Sequence, residues 1–169
     1  AYSYEKLKNG LPNSKIKDCE RLVNWVRLIK SDQEIKYMKI ASEITQLGMK
    51  TAFKEINHGV RQCDAVAKIY STLISGTSEY GGDYASIVPL IPTGKGTSAS
   101  HLTWTDEKFV NGEASIIEIS GAYKKYHCPM ARTVLLGKPD QKKIDTMKKT
   151  REALESGINA TKPGNTADD

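Results

Sequence analysis

Two short segments, in which apolar side chains alternate with polar or small ones, flank Lys124-Lys125. They restrict the fold more than any other part of the chain. Successive side chains of a strand point to opposite faces of a sheet, so this pattern predicts a β-hairpin over residues 114–136. Within it, Glu118, His127 and Cys128 bring acid, imidazole and thiol groups close together. We therefore expect a catalytic site to include this hairpin.

Helical patterns surround the hairpin. Ser31 and Glu34 form a capping box that starts a helix expected to run to about Asn57, where His58-Gly59 ends it. Further helices are predicted over about residues 64–75 and 140–161, and Gly- and Pro-rich strand and loop segments lie between them. Apolar stripes predict the buried faces, namely Met49, Ala52, Phe53 and Ile56, then Val66, Ile69, Tyr70 and Leu73, and finally Ile144, Met147, Leu154 and Ile158.

The chain of 169 residues has the usual size of one domain. Residues 1–21 are polar and turn-rich, and we interpret them as a tail or interdomain linker ahead of a body over residues 22–169. Lys162-Pro163-Gly164 leads into what would be another helix just as the sequence stops. We therefore expect a fragment of a longer protein that is inactive alone.

Charge and cysteine content exclude several classes of protein. The net charge of +5 is spread among acidic residues without a dense basic run, so we expect no nucleic-acid partner. Three cysteines without a CxxC pair favour reduced thiols and a cytoplasmic location. No apolar run reaches the length of a membrane span, so we expect no membrane association.

The order of these signals resembles the creatinase/aminopeptidase P/prolidase superfamily. Arg27-Leu28-Ile29-Lys30-Ser31 precedes a long helix, and His101, the hairpin and Lys162-Pro163-Gly164 follow in the same order as in that superfamily. The resemblance covers about residue 22 to the end and implies the α+β pita-bread fold. It predicts the N-terminal half of the catalytic domain, with helices packed on a mostly antiparallel sheet, and a homodimer of the full-length protein.

The chain departs from the metallopeptidases of that superfamily at one metal ligand. Their two hairpin strands each carry a metal-binding Asp, and these positions fall on Glu118 and Pro129 here. Proline has no ligand atom, and a dinuclear centre needs several oxygen or imidazole donors. We therefore expect no metal cofactor; Mn²⁺ or Co²⁺ is the alternative, which accompanies an Xaa-Pro dipeptidase or aminopeptidase P activity.

The metal-free branch of the superfamily, which includes creatinase, is similar in more detail. Residues 82–90, residues 100–104 and residues 123–129 resemble the corresponding segments of ectoine hydrolases. This resemblance implies a hydrolase whose partner is a small molecule, a cyclic amidine opened at a ring C–N bond to an N-acetylated diaminobutyrate. A superfamily member without catalysis that acts as a binding module is a further alternative.

Three residues are candidates for the chemistry. His101 falls at the position of the superfamily's active-site histidine, and imidazole can give and take a proton near neutral pH. Glu118 would act as base or nucleophile on the face that it shares with Ile116 and Ser120. His127 would supply a second imidazole on the same face, provided Pro129 introduces no bulge that changes the register.

Three more residues are candidates for substrate binding. Tyr84 and Trp104 could pack on a planar ring, with core packing as the alternative for both. Arg132 would bind a substrate carboxylate or form an internal ion pair, for example with Glu118. Cys128 should point away from that face and pack as a small apolar residue.

Overall fold

The chain divides into two compact units, Ala1–Ile35 and Lys36–Asp169, and the computed structural model describes residues 2–168. The first unit contains helix α1 (Tyr2–Gly10) and helix α2 (Leu22–Leu28), neither of which buries a residue. A short helix thus forms within the segment predicted as tail or linker, and the domain boundary near residue 21 stays a prediction.

Helix α3 (Asp32–Glu55) begins and ends at the predicted signals. The Ser31 amide donates to Glu34 Oε2 at 2.7 Å, which confirms the capping box, and Gly59 takes a φ of +82° just beyond the helix. Met49, Ala52 and Ile56 are buried as expected. The prediction for Phe53 was wrong, because it lies on the solvent side of this stripe and is 52% exposed.

Helix α4 (Gln62–Ser75) and helix α3 cover one face of strand β1 (Ala114–Tyr123). The core contains branched aliphatic side chains from all three elements and one phenylalanine, namely Ile44, Ile69, Leu73, Phe109, Ile117 and Ile119. Gly48 permits this close packing, since a Cβ there would lie 2.5 Å from Leu73 Cδ2. Burying each of these large side chains stabilises the fold by about 1.5–3 kcal/mol.

Strand β2 (Tyr126–Leu135) pairs antiparallel with β1 across the predicted two-residue turn. Glu118 lies opposite Ala131, Ser120 opposite Pro129, and Ala122 opposite His127, so Pro129 causes no change of register. Within residues 2–168, β2 is the outer strand of the sheet, where a residue without an amide hydrogen is tolerated. The predicted hairpin and its face pattern are confirmed.

The other edge of β1 is met by an extended segment. Leu90 forms an antiparallel bridge with Glu118, and Thr93 forms one with Ser115. A 3₁₀ turn (Gly94–Ser98) follows and carries the chain over the outer face of β1. Strand β1 is thereby held on both sides, and the α+β architecture with an antiparallel sheet agrees with the expectation from the sequence.

Helix α5 (Gln141–Ala160) follows the hairpin, close to its predicted bounds. Asp140 caps it, since its side chain accepts from the Lys143 amide at 2.8 Å. Its predicted inner stripe is largely exposed in this chain, with Leu154 at 63% and Ile158 at 62%. In the portion that the structure covers, no helix combines the length and apolar character that a membrane crossing requires.

Candidate active site

A cleft of about 270 Å³ lies on the face of β1 that points away from the helices. Its floor is apolar and consists of Leu90, Pro92 and Ile116. Its polar wall is the 3₁₀ turn with the residues that follow it, through His101. Glu118 lines the cleft as well, so two of the predicted catalytic residues lie in one site.

Strand alternation directs Glu118 into this cleft. Ser115, Ile117 and Ile119 are at most 1% exposed and point into the core, so the residues between them point outward. The Glu118 backbone is held at both atoms, because its amide donates to the Leu90 carbonyl and its carbonyl accepts from the Leu90 amide, each at 2.9 Å. The carboxylate is thus half-buried on a strand that is fixed along both edges.

His101 reaches the cleft from the loop after the 3₁₀ turn. Its φ of +59° lies in the left-handed region, which residues other than glycine seldom adopt. Backbone strain of this kind costs about 1–3 kcal/mol and is concentrated at functional sites. His101 and Glu118 both line the cleft, and the ion pairs between the described residues do not include one that joins them.

His127 shares the face of Glu118 but lies outside the cleft. It pairs with Ala122, which is four residues along β1 from Glu118, a separation of about 13 Å at the rise of a strand. Its Nε2 accepts a hydrogen bond from the Ser86 amide at 3.1 Å. The structure does not bring this imidazole together with His101, and its catalytic role stays a prediction.

The three predicted substrate-binding residues also lie outside the cleft. Tyr84 is 66% exposed, and Lys125 Nζ lies 3.6 Å from the centre of its ring. Trp104 is partly buried against the core, which is the alternative considered for it. Arg132 pairs with Ile117 on the opposite face from Glu118, and its Nη1 donates to the neighbouring Ala131 carbonyl at 2.7 Å.

The donors that residues 2–168 place in the cleft are too few for a two-metal centre. Within residues 2–168, Glu118 is the one carboxylate that lines the cleft, and no group of three or more His, Cys, Asp or Glu side chains could hold a metal ion. The second-strand position that would carry a carboxylate is Pro129, opposite Ser120. The groups present suit proton transfer instead, since they are a carboxylate, an imidazole and hydroxyls.

The hydroxyl residues of the wall were missed from the sequence. Thr97 donates to the Gly94 carbonyl and Ser98 to the Lys95 carbonyl, each at 2.8 Å, and Ser100 also lines the cleft. The signal that could have found them is the Gly- and Ser-rich run immediately before His101. Leu90 and Pro92 carry no local signal, because only the bridge to β1 places them there.

Comparison with known proteins shows which family the chain belongs to. The model of metallopeptidase family M24 matches residues 36–169. The ectoine hydrolase of Halomonas elongata is 43% identical over an alignment that covers 99% of this chain and 44% of that protein. The Xaa-Pro dipeptidase of Pyrococcus furiosus is 26% identical over 98% of this chain and 47% of that protein.

A solved structure agrees with these matches. The prolidase from Pyrococcus horikoshii superposes with a TM-score of 0.86 at 25% identity, over 97% of this chain and 46% of that one. The chain thus spans less than half the length of these relatives. The fold and the resemblance inferred from the sequence are confirmed, and the chain belongs to metallopeptidase family M24.

Proposed function

We propose that the full-length protein is a hydrolase that opens a small cyclic amidine at a ring C–N bond, as an ectoine hydrolase would. The observation that carries this proposal is the shared cleft of Glu118 and His101, together with Pro129 at the second metal-ligand position. The identity of 43% to the Halomonas elongata enzyme supports the same substrate class.

The cleft suits a small substrate with a delocalised positive charge. Its volume of about 270 Å³ is just below the roughly 300–1,000 Å³ of typical ligand sites. Glu118 would attract an amidinium, while Leu90, Pro92 and Ile116 offer an apolar surface to the rest of the ring. A charged group at a half-buried position acts more strongly than it would in water.

The mechanism follows from the two groups. Either water activated by Glu118 adds to the electrophilic amidine carbon, or the Glu118 carboxylate itself adds and water later cleaves the bond between Glu118 and that carbon, which frees the carboxylate. His101 carries the released proton to the ring nitrogen, the ring C–N bond breaks, and the products are an amide and an amine after the net consumption of one water. Positioned acid–base groups of this kind accelerate a reaction by about 10²–10⁴-fold. No step in this scheme uses a metal ion.

An Xaa-Pro dipeptidase is the second candidate. It is favoured by the Xaa-Pro dipeptidase of Pyrococcus furiosus and by the Pyrococcus horikoshii prolidase structure. That activity would use Mn²⁺ or Co²⁺, and its carboxylate ligands other than Glu118 would have to come from outside residues 2–168, because β2 offers Pro129. Metal dependence therefore separates the two candidates.

The test is to incubate the full-length protein with ectoine, creatine and Xaa-Pro dipeptides, with and without a chelator, and to follow the products by NMR. We expect ring opening of ectoine that the chelator does not affect. Cleavage of an Xaa-Pro dipeptide that the chelator abolishes, with ectoine untouched, would refute the proposal and establish the second candidate.

A pair of variants tests the role of the carboxylate. Glu118→Gln keeps the shape of the side chain but removes its charge and basicity, so turnover should fall by about 10²–10⁴-fold. Glu107→Gln makes the same chemical change at an exposed position that does not line the cleft and should leave turnover unchanged. Near-normal activity of Glu118→Gln would exclude the proposed role.

A further inference from the structure

The segment of residues 82–90 forms the approach to the cleft floor, and we call it the floor segment. Its first part is attached to the hairpin turn: the Asp83 amide donates to the Ala122 carbonyl at 2.8 Å, and the Lys125 amide donates to Asp83 Oδ2 at 3.1 Å. Its last residue, Leu90, is bound to Glu118 by the two backbone hydrogen bonds described above. The segment therefore spans from the turn to the catalytic strand.

Between Asp83 and Leu90 the floor segment is held to the rest of the structure by a single hydrogen bond. Of the described residues 84–88, Ser86 alone takes part in a hydrogen bond, and its amide donates to His127 Nε2 at 3.1 Å. Ile87 and Val88 are 46% and 41% exposed, so side-chain burial adds little at this point. A segment with few buried contacts and exposed backbone opens easily unless such an anchor holds it.

We propose that His127 is a positioning residue that holds the floor segment, between the hairpin turn and Leu90, in the geometry that the substrate requires. The inference rests on the function proposed above. To accept from an amide, Nε2 must be unprotonated, so the proton of the neutral ring is on Nδ1. The nitrogen of His127 that faces the floor segment is therefore engaged by the Ser86 amide. His127 also lies about 13 Å along the strand from Glu118, so both observations favour a positioning role over proton transfer.

The turn beside His127 supports the same assignment. Lys124 and Lys125 both have positive φ, at 49° and 67°, a conformation that favours Asn and Gly in two-residue hairpin loops. This turn contacts the floor segment twice, since the Lys125 amide donates to Asp83 and the Lys125 Nζ lies over the Tyr84 ring at 3.6 Å. Lys125 of the hairpin turn thus contacts Asp83 and Tyr84, and His127 binds Ser86 two residues further along the floor segment.

Replacing His127 by glutamine separates positioning from proton transfer. The glutamine side chain reaches about as far as Nε2 and can accept from the Ser86 amide, but it cannot carry a proton between groups. His127→Ala removes the acceptor, and His127→Asn is polar but too short. The control is His58→Ala, which changes an exposed histidine beyond helix α3 and outside the cleft.

The first measurement is hydrogen exchange of the Ser86 amide in the full-length protein, which needs no substrate. Loss of one hydrogen bond should speed exchange about fivefold in His127→Ala and His127→Asn. His127→Gln and His58→Ala should exchange at the rate of the unmodified protein. Equal exchange in all variants would overturn the proposal whatever the protein hydrolyses.

The second measurement is the kinetics of the full-length protein with whichever substrate it turns over in the NMR experiment. We expect KM to rise about fivefold in His127→Ala with kcat within about twofold, and both constants to recover in His127→Gln. A kcat that falls about 100-fold in both variants, with KM unchanged, would make His127 a catalytic residue and refute the positioning role. Because exchange is measured without substrate, failure of the amidine function and failure of this inference are distinguishable.

Discussion

Replacing Thr45 by valine should be one of the most destabilising single changes in this chain, although it conserves shape. Thr45 lies in α3 and is fully buried. Its hydroxyl accepts from the Gly121 amide at 2.8 Å, and its one proton can go to the Cys128 carbonyl at 2.6 Å or to the Ala41 carbonyl, four residues earlier in α3, at 2.9 Å. Gly121 and Cys128 are opposite each other in the hairpin, so one hydroxyl joins α3 to both strands.

The cost can be worked out from these contacts. Valine fills the same volume, so no cavity forms, but the buried Gly121 amide loses its acceptor and the Cys128 carbonyl loses a donor. A buried polar group left unsatisfied costs about 1–3 kcal/mol, and we expect a total of about 3 kcal/mol. At the size of this chain that is a fall in Tm of roughly 6–12 °C.

The assay is urea unfolding of the protein followed by circular dichroism, with the midpoint and slope compared between variants. Thr146→Val is the matched control, since its hydroxyl also bonds the carbonyl four residues earlier, at Lys142, but it is exposed and contacts no strand. We expect that control to change stability by less than about 0.5 kcal/mol. A Thr45→Val variant as stable as the control would refute this reasoning.

Two further outcomes follow from local geometry. In the same urea assay Gly121→Ala should lower the free energy of unfolding by more than about 2 kcal/mol, because its Cβ would lie 2.6 Å from the Ala41 carbonyl oxygen. The control Gly157→Ala, whose Cβ meets open space in α5, should raise it by up to about 1 kcal/mol. Equal effects of the two variants would contradict the close contact between α3 and the hairpin. Hydrogen bonds from the Lys143 side chain and amide hold the pKa of Asp140 below its ordinary value, so the cap strengthens folding at neutral pH and this contribution is lost as pH falls through that lowered pKa. NMR titration of the Asp140 carboxyl checks this, and an ordinary or raised pKa would contradict the cap.

Sequence alone determined the local elements of the fold and the directions of their side chains. The alternation around Glu118 predicted which residues share its face of the strand, and Ser31 and Gly59 marked the ends of α3. These predictions succeeded because strand alternation, helix capping and positive φ depend on neighbours only a few residues apart. The lack of a ligand atom at Pro129 is more local still, since it is a property of the proline side chain itself.

Only the tertiary structure decided which residues meet. It brought His101 to the cleft of Glu118 and left His127, on the same face, about 13 Å away. It also supplied Leu90 as part of the floor and kept Tyr84 outside it. Such placements depend on long loops closing over β1 and on single anchors such as the Ser86–His127 hydrogen bond, and local periodicity contains no information about where a loop closes.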